Sequence, residues 1–319
     1  MNLVYPQIRN DNDKTQTIGT SHGWIATLKD DGILRLQDDL NPAASDTNPK
    51  RIPLPPLVTL PHCQTKIITN VSLSSSSPED DEDSVVAVKF LGPQLSFCWP
   101  AQSKPEWTNI MLENPCFHSS SRVMFSKKDK VFRILGSGDH IIVSCDFFSK
   151  REPFVVRWYK KTIKMTKSGV AKMRTKALNF FRLDDEGNND KLQWNFLDSL
   201  CQSEHLVESP TGETFLVEQY KKKTTVKEGV ARMKTEFLIV YKLDDEGNRV
   251  YTQDMGDLTM FLSKSEPFCV PSTSFPRLRR NYIHILDVDE IGGFNLGDMS
   301  IATASGTFST PYYFPPQRC

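Results

Sequence analysis

The run GVAKMRTKALNFFRLDDEGN, Gly169 to Asn188, returns 60 residues later as GVARMKTEFLIVYKLDDEGN, Gly229 to Asn248. Each copy follows an apolar stretch ending in Tyr-Lys-Lys: FVVRWYKK from Phe154 to Lys161, and FLVEQYKK from Phe215 to Lys222. Repetition at this period marks a fold built from one supersecondary unit used several times, because such a unit cannot bury its apolar face alone.

The second copy can be read strand by strand. Glu204 to Ser209, Phe215 to Tyr220, Phe237 to Leu243 and Val250 to Gln253 form four short apolar runs separated by turn residues. Gly247 suits the left-handed conformation a tight turn requires, and the aspartates of LDDEGN can hold turn amides with their side chains. Four antiparallel strands in about 50 residues is the size of one propeller blade. One of the two basic inserts between paired strands, Lys221 to Glu236 or Lys160 to Lys176, could hold a helical turn, but its charge predicts exposure.

Working outward, short runs rich in Val, Ile, Phe, Tyr and Trp recur along the whole chain, among them Gly23 to Leu28, Val85 to Leu91, Val131 to Leu135 and Tyr282 to Val288. Gly, Pro, Asp and Asn punctuate them, and the 20 prolines leave little space for long helices. The class is all-β. Roughly 22 to 24 such runs at four per blade predict a β-propeller of six blades, with seven as the alternative; a sandwich would use far fewer strands. Residues 21–319 read as a single propeller domain, preceded by a short segment, 1–20, able to supply a closing strand. The near-identity of the two copies suggests a late tandem duplication, with an irregular blade near residues 150 to 200.

Two segments break the rhythm. SSSSPEDDEDS, Ser74 to Ser84, is acidic and of low complexity, and reads as a mobile loop. Its functional reading is phosphorylation at the serines, including the Ser77-Pro78 pair; its bland reading is a solvated hairpin tip. NPAASDTNPKRIPLPPL, Asn41 to Leu57, reads as an extended connector.

The 319 residues carry 39 basic and 39 acidic side chains, so no global field draws nucleic acid or an anionic membrane. Mean hydropathy is −0.41, and no run approaches the roughly 20 apolar residues of a membrane-spanning helix. Seven scattered cysteines without a C-x-x-C pair read as reduced intracellular thiols. The first residues, MNLVYPQIRNDNDKT, lack an apolar core and include acids, unlike an import signal. The expected compartment is cytosol or nucleus, with mitochondrion or plastid the alternative should the native start lie upstream.

No catalytic, cofactor or metal signature stands out. The six histidines form no ligand pair, Gly136-Ser137-Gly138-Asp139 lacks the helix of a phosphate loop, and neither LDDEGN nor Asp287-Val288-Asp289-Glu290 has calcium-loop spacing. Turn chemistry accounts for these acids. The informative side chains are cationic. Lys160 and Lys161 in the first copy, Lys221, Lys222 and Lys223 in the second, and Arg277, Arg279 and Arg280 within FPRLRR are the candidate contacts for a partner or an anion. Paired basic arms could hold phosphates, yet aromatic interleaving for base stacking is poor, and lysines also protect hairpin edges.

SHGWIATL (Ser21 to Leu28), LNPAASDTNPKRIPLPP (Leu40 to Pro56), VMFSKKDKVFRI (Val123 to Ile134), HLVESPTGETFLVEQY (His205 to Tyr220) and MGDLTMFLSKSEPFCVPSTSFPRLRRNYIHI (Met255 to Ile285) extend over nearly the whole chain. In order and spacing they resemble the plant KIB-type, kelch-like propeller family associated with F-box proteins, and especially its crucifer organellar-like branch. The resemblance implies a propeller that binds a protein partner. The chain departs from the family in having no leucine-rich F-box helix or basic presequence ahead of Ser21, so recruitment of a ubiquitin-ligase adaptor is not expected. A second YKK…LDDEGN copy is a further departure. The expected function is therefore a non-enzymatic protein-interaction propeller without cofactor, its partner unidentified; the alternative is a polyanion- or RNA-binding propeller using the duplicated basic arms.

Overall fold

A computed structural model describes residues 16–29, 31–38, 50–60, 67–118, 122–136, 141–146, 155–160, 163–164, 200–225, 231–244, 247–306 and 313. Two compact units result: the chain up to Tyr159 with Ser263–Glu266 and Tyr313, and the remainder from Lys160 onward.

In the first unit, β1 (Gln16–Ser21), β2 (Trp24–Leu28), β3 (Ile33–Gln37) and β4 (Arg51–Pro56) make one antiparallel meander. A second is formed by β5 (Ile68–Leu73), β6 (Val86–Phe90), β7 (Gln94–Cys98) and β8 (Thr108–Met111), and a third by β9 (Val123–Ser126), β10 (Val131–Leu135), β11 (Ile141–Asp146) and β12 (Val155–Lys160). Local chemistry fixes these elements. His22 and Gly23 both have positive φ, 51° and 82°, and make the two-residue turn that twists β1 back onto β2. Pro53, Pro55 and Pro56 lie in β4, an edge strand, where a missing N–H costs least.

The strand period of two distributes β6 between two cores. Val86, Val88 and Phe90 pack with Trp24, Leu34, Leu36 and Val71 between the first and second sheets. Val85 and Ala87 pack with Phe97, Phe117, Phe125 and Phe132 between the second and third. Face-to-face stacking of small meanders gives each sheet the burial it lacks alone.

In the second unit, β13 (Ile163–Lys164) lies parallel to β17 (Arg249–Tyr251) at the edge of a sheet completed by β14 (Cys201–Glu208), β15 (Thr214–Thr225) and β16 (Ala231–Leu243). The last sheet has the order β19-β18-β20-β21-β22, with β18 (Leu258–Leu262), β19 (Phe268–Pro271), β20 (Tyr282–Leu286), β21 (Glu290–Asn295) and β22 (Ser300–Ser305). The described residues thus form five sheets of four or five strands. The first repeat copy, 169–188, lies outside the described residues.

The second copy folds as the four-stranded unit its sequence predicts. Gly247 has φ +80°, and the Asp244 carboxylate accepts the Asn248 amide at 2.8 Å, closing the LDDEGN turn. Among the described residues of the basic insert after Tyr220, β15 and β16 continue as paired strands past a bulge at Tyr220/Lys221. One expectation is corrected. The acidic segment 74–84 is a chain of tight turns rather than a mobile loop. Trp24 Nε1 donates to the Ser76 carbonyl at 2.9 Å, Asp81 N–H to Ser77 O at 3.1 Å and Val85 N–H to Ser74 Oγ at 2.8 Å. These bonds supply the ordering energy its composition lacks.

Candidate interaction surface

The FPRLRR run lies in a crossover whose course is dictated by strand order. β18 and β20 are parallel neighbours, while β19 pairs on the other side of β18. Residues 272–281 must therefore pass over the start of β18, and the residues there hold them. Ser272 N–H donates to Asp257 O at 2.7 Å, the Ser272 hydroxyl donates to the Asp257 carboxylate, and Thr273 Oγ1 reaches the other oxygen at 3.1 Å. At the far end Thr259 Oγ1 donates to Arg279 O at 2.7 Å, and Asn281 bonds Leu258 O, Gln253 O and the Met255 amide. Arg277 and Asn281 adopt positive φ, 86° and 57°, which permits the sharp course. What this frame presents is apolar and cationic: Phe275 is 42% exposed, and Arg277, Arg279 and Arg280 are all exposed. Arg279 lies over the Tyr282 ring at 5.8 Å. The hydroxyl donors and Arg280 hold the Asp257 carboxyl below its usual range.

The five lysine candidates separate. Lys221 is a fold residue: its Nζ is 2.5 Å from Asp287 Oδ2 and 4.0 Å from Glu290 Oε1, and its side chain is 14% exposed. The acidic run 287–290 is thus the anchor of the hairpin, with Asp289 accepting the Met233 amide at 3.2 Å and Glu290 accepting the Thr235 amide at 2.8 Å. Behind it, Gln219 bridges His205 at 3.0 Å and Thr235 at 2.7 Å. Burial pushes the Glu290 carboxyl up, opposed by Thr235 and Lys221. Lys222 and Lys223 are exposed on the extended hairpin. Lys160 closes β12, with its side chain outside the described set, and Lys161 lies outside the described residues.

A third constellation had no signal in sequence. Ser21 ends β1, Ser72 lies in β5 and Phe125 in β9, and the carboxylate of Glu266 joins all three. Ser21 Oγ donates to Oε2 at 2.5 Å, while Ser72 Oγ and the Phe125 amide reach Oε1 at 3.2 and 3.4 Å. Ser21 Oγ also accepts the Leu73 amide at 3.0 Å and lies 3.1 Å from His22 Nδ1. Burial raises the Glu266 carboxyl to about 7, although its three donors and the more distant Lys127 charge favour the anion. Burial, aided by Lys127, lowers His22 to about 3 and keeps its ring neutral. The serine sits between acid and imidazole and is itself buried, so the arrangement braces three sheets rather than activating a nucleophile. One acid at Glu266 and serines far apart in sequence give no motif to read.

Among the described residues no group of three His, Cys, Asp or Glu is placed to hold a metal ion, and no helix is long and apolar enough to cross a membrane.

Small antiparallel meanders stacked through shared apolar cores, as in the first unit, are how a β-propeller is built. The KIB1-4 beta-propeller family model matches residues 2–306, and the chain belongs to that family. No curated protein matches it in sequence. Among solved structures, the chain is similar to the Cps50 (Swd1) beta-propeller domain of Myceliophteria thermophila, at 11% identity and TM-score 0.32, with 92% of this chain and 70% of that one covered. It is also similar to MPT-1, a GDP-Man-dependent mannosyltransferase of Leishmania mexicana, at 8% identity and TM-score 0.27, covering 96% and 86% of the two chains. At such low scores the family match, rather than these superpositions, identifies the fold.

Proposed function

We propose that this propeller is a non-enzymatic interaction module that docks a protein partner on the crossover 272–281. The observation that carries the reading is three exposed arginines and a half-exposed phenylalanine on a backbone tied down at both ends. A prearranged loop loses little entropy on binding, and arginine with aromatic side chains dominates the energetics of many protein interfaces. Guanidinium forks favour carboxylate-bearing surfaces. The fold by itself assigns no role.

The test compares the full chain with its R277A/R279A/R280A variant as bait, at equal stability. Proteins recovered by the natural chain and lost at least tenfold by the variant would bear the reading out; identical recoveries would end it. Lys222 and Lys223, exposed on the hairpin, favour a polyanion as the second reading. K222A/K223A with unchanged retention on a phosphate matrix would remove it.

A further inference from the structure

The acidic turn 74–84 contains five serines, and the fold treats them differently. Ser74 Oγ accepts the Val85 amide at 2.8 Å, and Ser75 Oγ accepts the Ser77 amide at 3.2 Å. Ser84 is fully buried. Only Ser76 and Ser77 are exposed, with hydroxyls uncommitted to the turn. Their downstream neighbours distinguish these two. Pro78 is buried, so the position after Ser77 is sequestered by packing and closed to an enzyme that reads Ser-Pro. Glu79 stands three residues after Ser76, with Asp80, Glu82 and Asp83 beyond it, and all four are exposed.

We infer that Ser76 is a phosphoacceptor for an acidophilic serine kinase, and that Ser77 is not the acceptor of a proline-directed one. In the transfer, Ser76 Oγ bonds to the γ-phosphorus of ATP as the bond to the β,γ-bridging oxygen breaks. ADP leaves, and the hydroxyl proton passes to the carboxylate base of the kinase. Acids downstream suit a substrate groove lined with cations, which a neutral or basic segment would not fill. Presenting Ser76 together with Glu79 requires opening three bonds, Ser77 N–H to Ser75 Oγ, Trp24 Nε1 to Ser76 O at 2.9 Å and Asp81 N–H to Ser77 O at 3.1 Å. Each exchanges for a bond to water on opening, so the barrier is small for a surface turn. Once attached, a phosphate of about −1.5 to −2 charge stands beside the acids and repels them. Its carbonyl neighbour is the acceptor for Trp24, a member of the core between the first two sheets, so the modification loosens that core's outer edge.

The test uses the full folded chain with ATP and, separately, an acidophilic and a proline-directed kinase, with sites mapped by fragment mass spectrometry. The heat-denatured chain serves as control. The expected result is one phosphate from the acidophilic enzyme, at Ser76, absent in S76A, retained in S77A and at least tenfold slower in E79A/D80A. Labelling at Ser77 by the proline-directed enzyme overturns the inference. So does labelling of the denatured chain alone, which would mean that the fold withholds the site, and so does absence of label from both.

Discussion

Replacing Glu266 by Gln separates the charge of the buried carboxylate from its hydrogen bonds. The amide oxygen can still accept from Ser72 Oγ and the Phe125 amide, while its NH₂ can donate to Ser21 Oγ, freeing the Ser21 proton for His22 Nδ1 at 3.1 Å. Every bond of the constellation survives, so what changes is titration. Glu266 ionises at about 7 in the fold against 4.5 when free, so between those values the folded state binds more protons than the unfolded one. Its contribution is complete below 4.5 and is lost as pH rises through 7. At about 1.4 kcal/mol per pH unit, the wild type should lose up to roughly 3 kcal/mol relative to the variant over that window.

The variant isolates this effect because His22 masks it in the natural chain. His22 ionises at about 3 rather than 6.5, so over its own window the unfolded state binds the extra proton. The two slopes oppose between 4.5 and 6.5, which leaves wild-type stability nearly flat from this pair. The assay is urea unfolding of both proteins at half-unit steps from pH 4.5 to 8. The difference curve should rise in favour of E266Q and level off above 7. A flat or falling difference curve would refute the argument that burial, rather than the hydroxyl donors, governs this carboxyl.

Lys221→Met should cost about 1 to 3 kcal/mol, more at pH 8 than at pH 5, because it removes the cation that faces Asp287 and the buried Glu290; Lys222→Met should change stability by less than about 0.5 kcal/mol, both read by urea unfolding. Trp24→Phe removes the bond to Ser76 O and part of the core, and should cost about 1 to 3 kcal/mol while quickening amide exchange in 74–84. Asp257→Ala should leave the sheet intact but raise amide exchange across 272–281 about tenfold, since both hydroxyl tethers are lost.

The strands were legible because each writes its burial in alternate letters. Leu34 and Leu36, fully buried, alternate with the more exposed Ile33, Arg35 and Gln37 in β3, and the LDDEGN turn names its own geometry through Gly247. Charge misled where partners are distant. Lys221 reads as an exposed arm because Asp287 lies 66 residues away, and SSSSPEDDEDS reads as mobile because the bond from Trp24 spans 52 residues. For the same reason the Glu266 constellation was invisible: its bonds connect residues 141 to 245 positions apart. The arginine crossover was legible as a cationic run, but its anchoring depends on β18 and β20 being parallel, which no local pattern encodes.

The identities kept between the two copies of the doubled segment have structural causes. In the second copy, the letters shared with the first include Thr235, which holds Glu290, Asp244, Gly247 and Asn248, which close one turn, and Leu238, which is fully buried. The lysine directly after the shared Tyr is likewise bound to Asp287. Each of these has a role within the sheet that would preserve its identity without any ligand. Of the exposed cations described in the second copy, Lys222 is also kept, as Lys161 in the first, while the exposed cations best placed for a partner, Arg277, Arg279 and Arg280, stand outside the repeat altogether. The duplication therefore speaks for how the blades are built, and the search for the partner belongs on the crossover that the repeat does not contain.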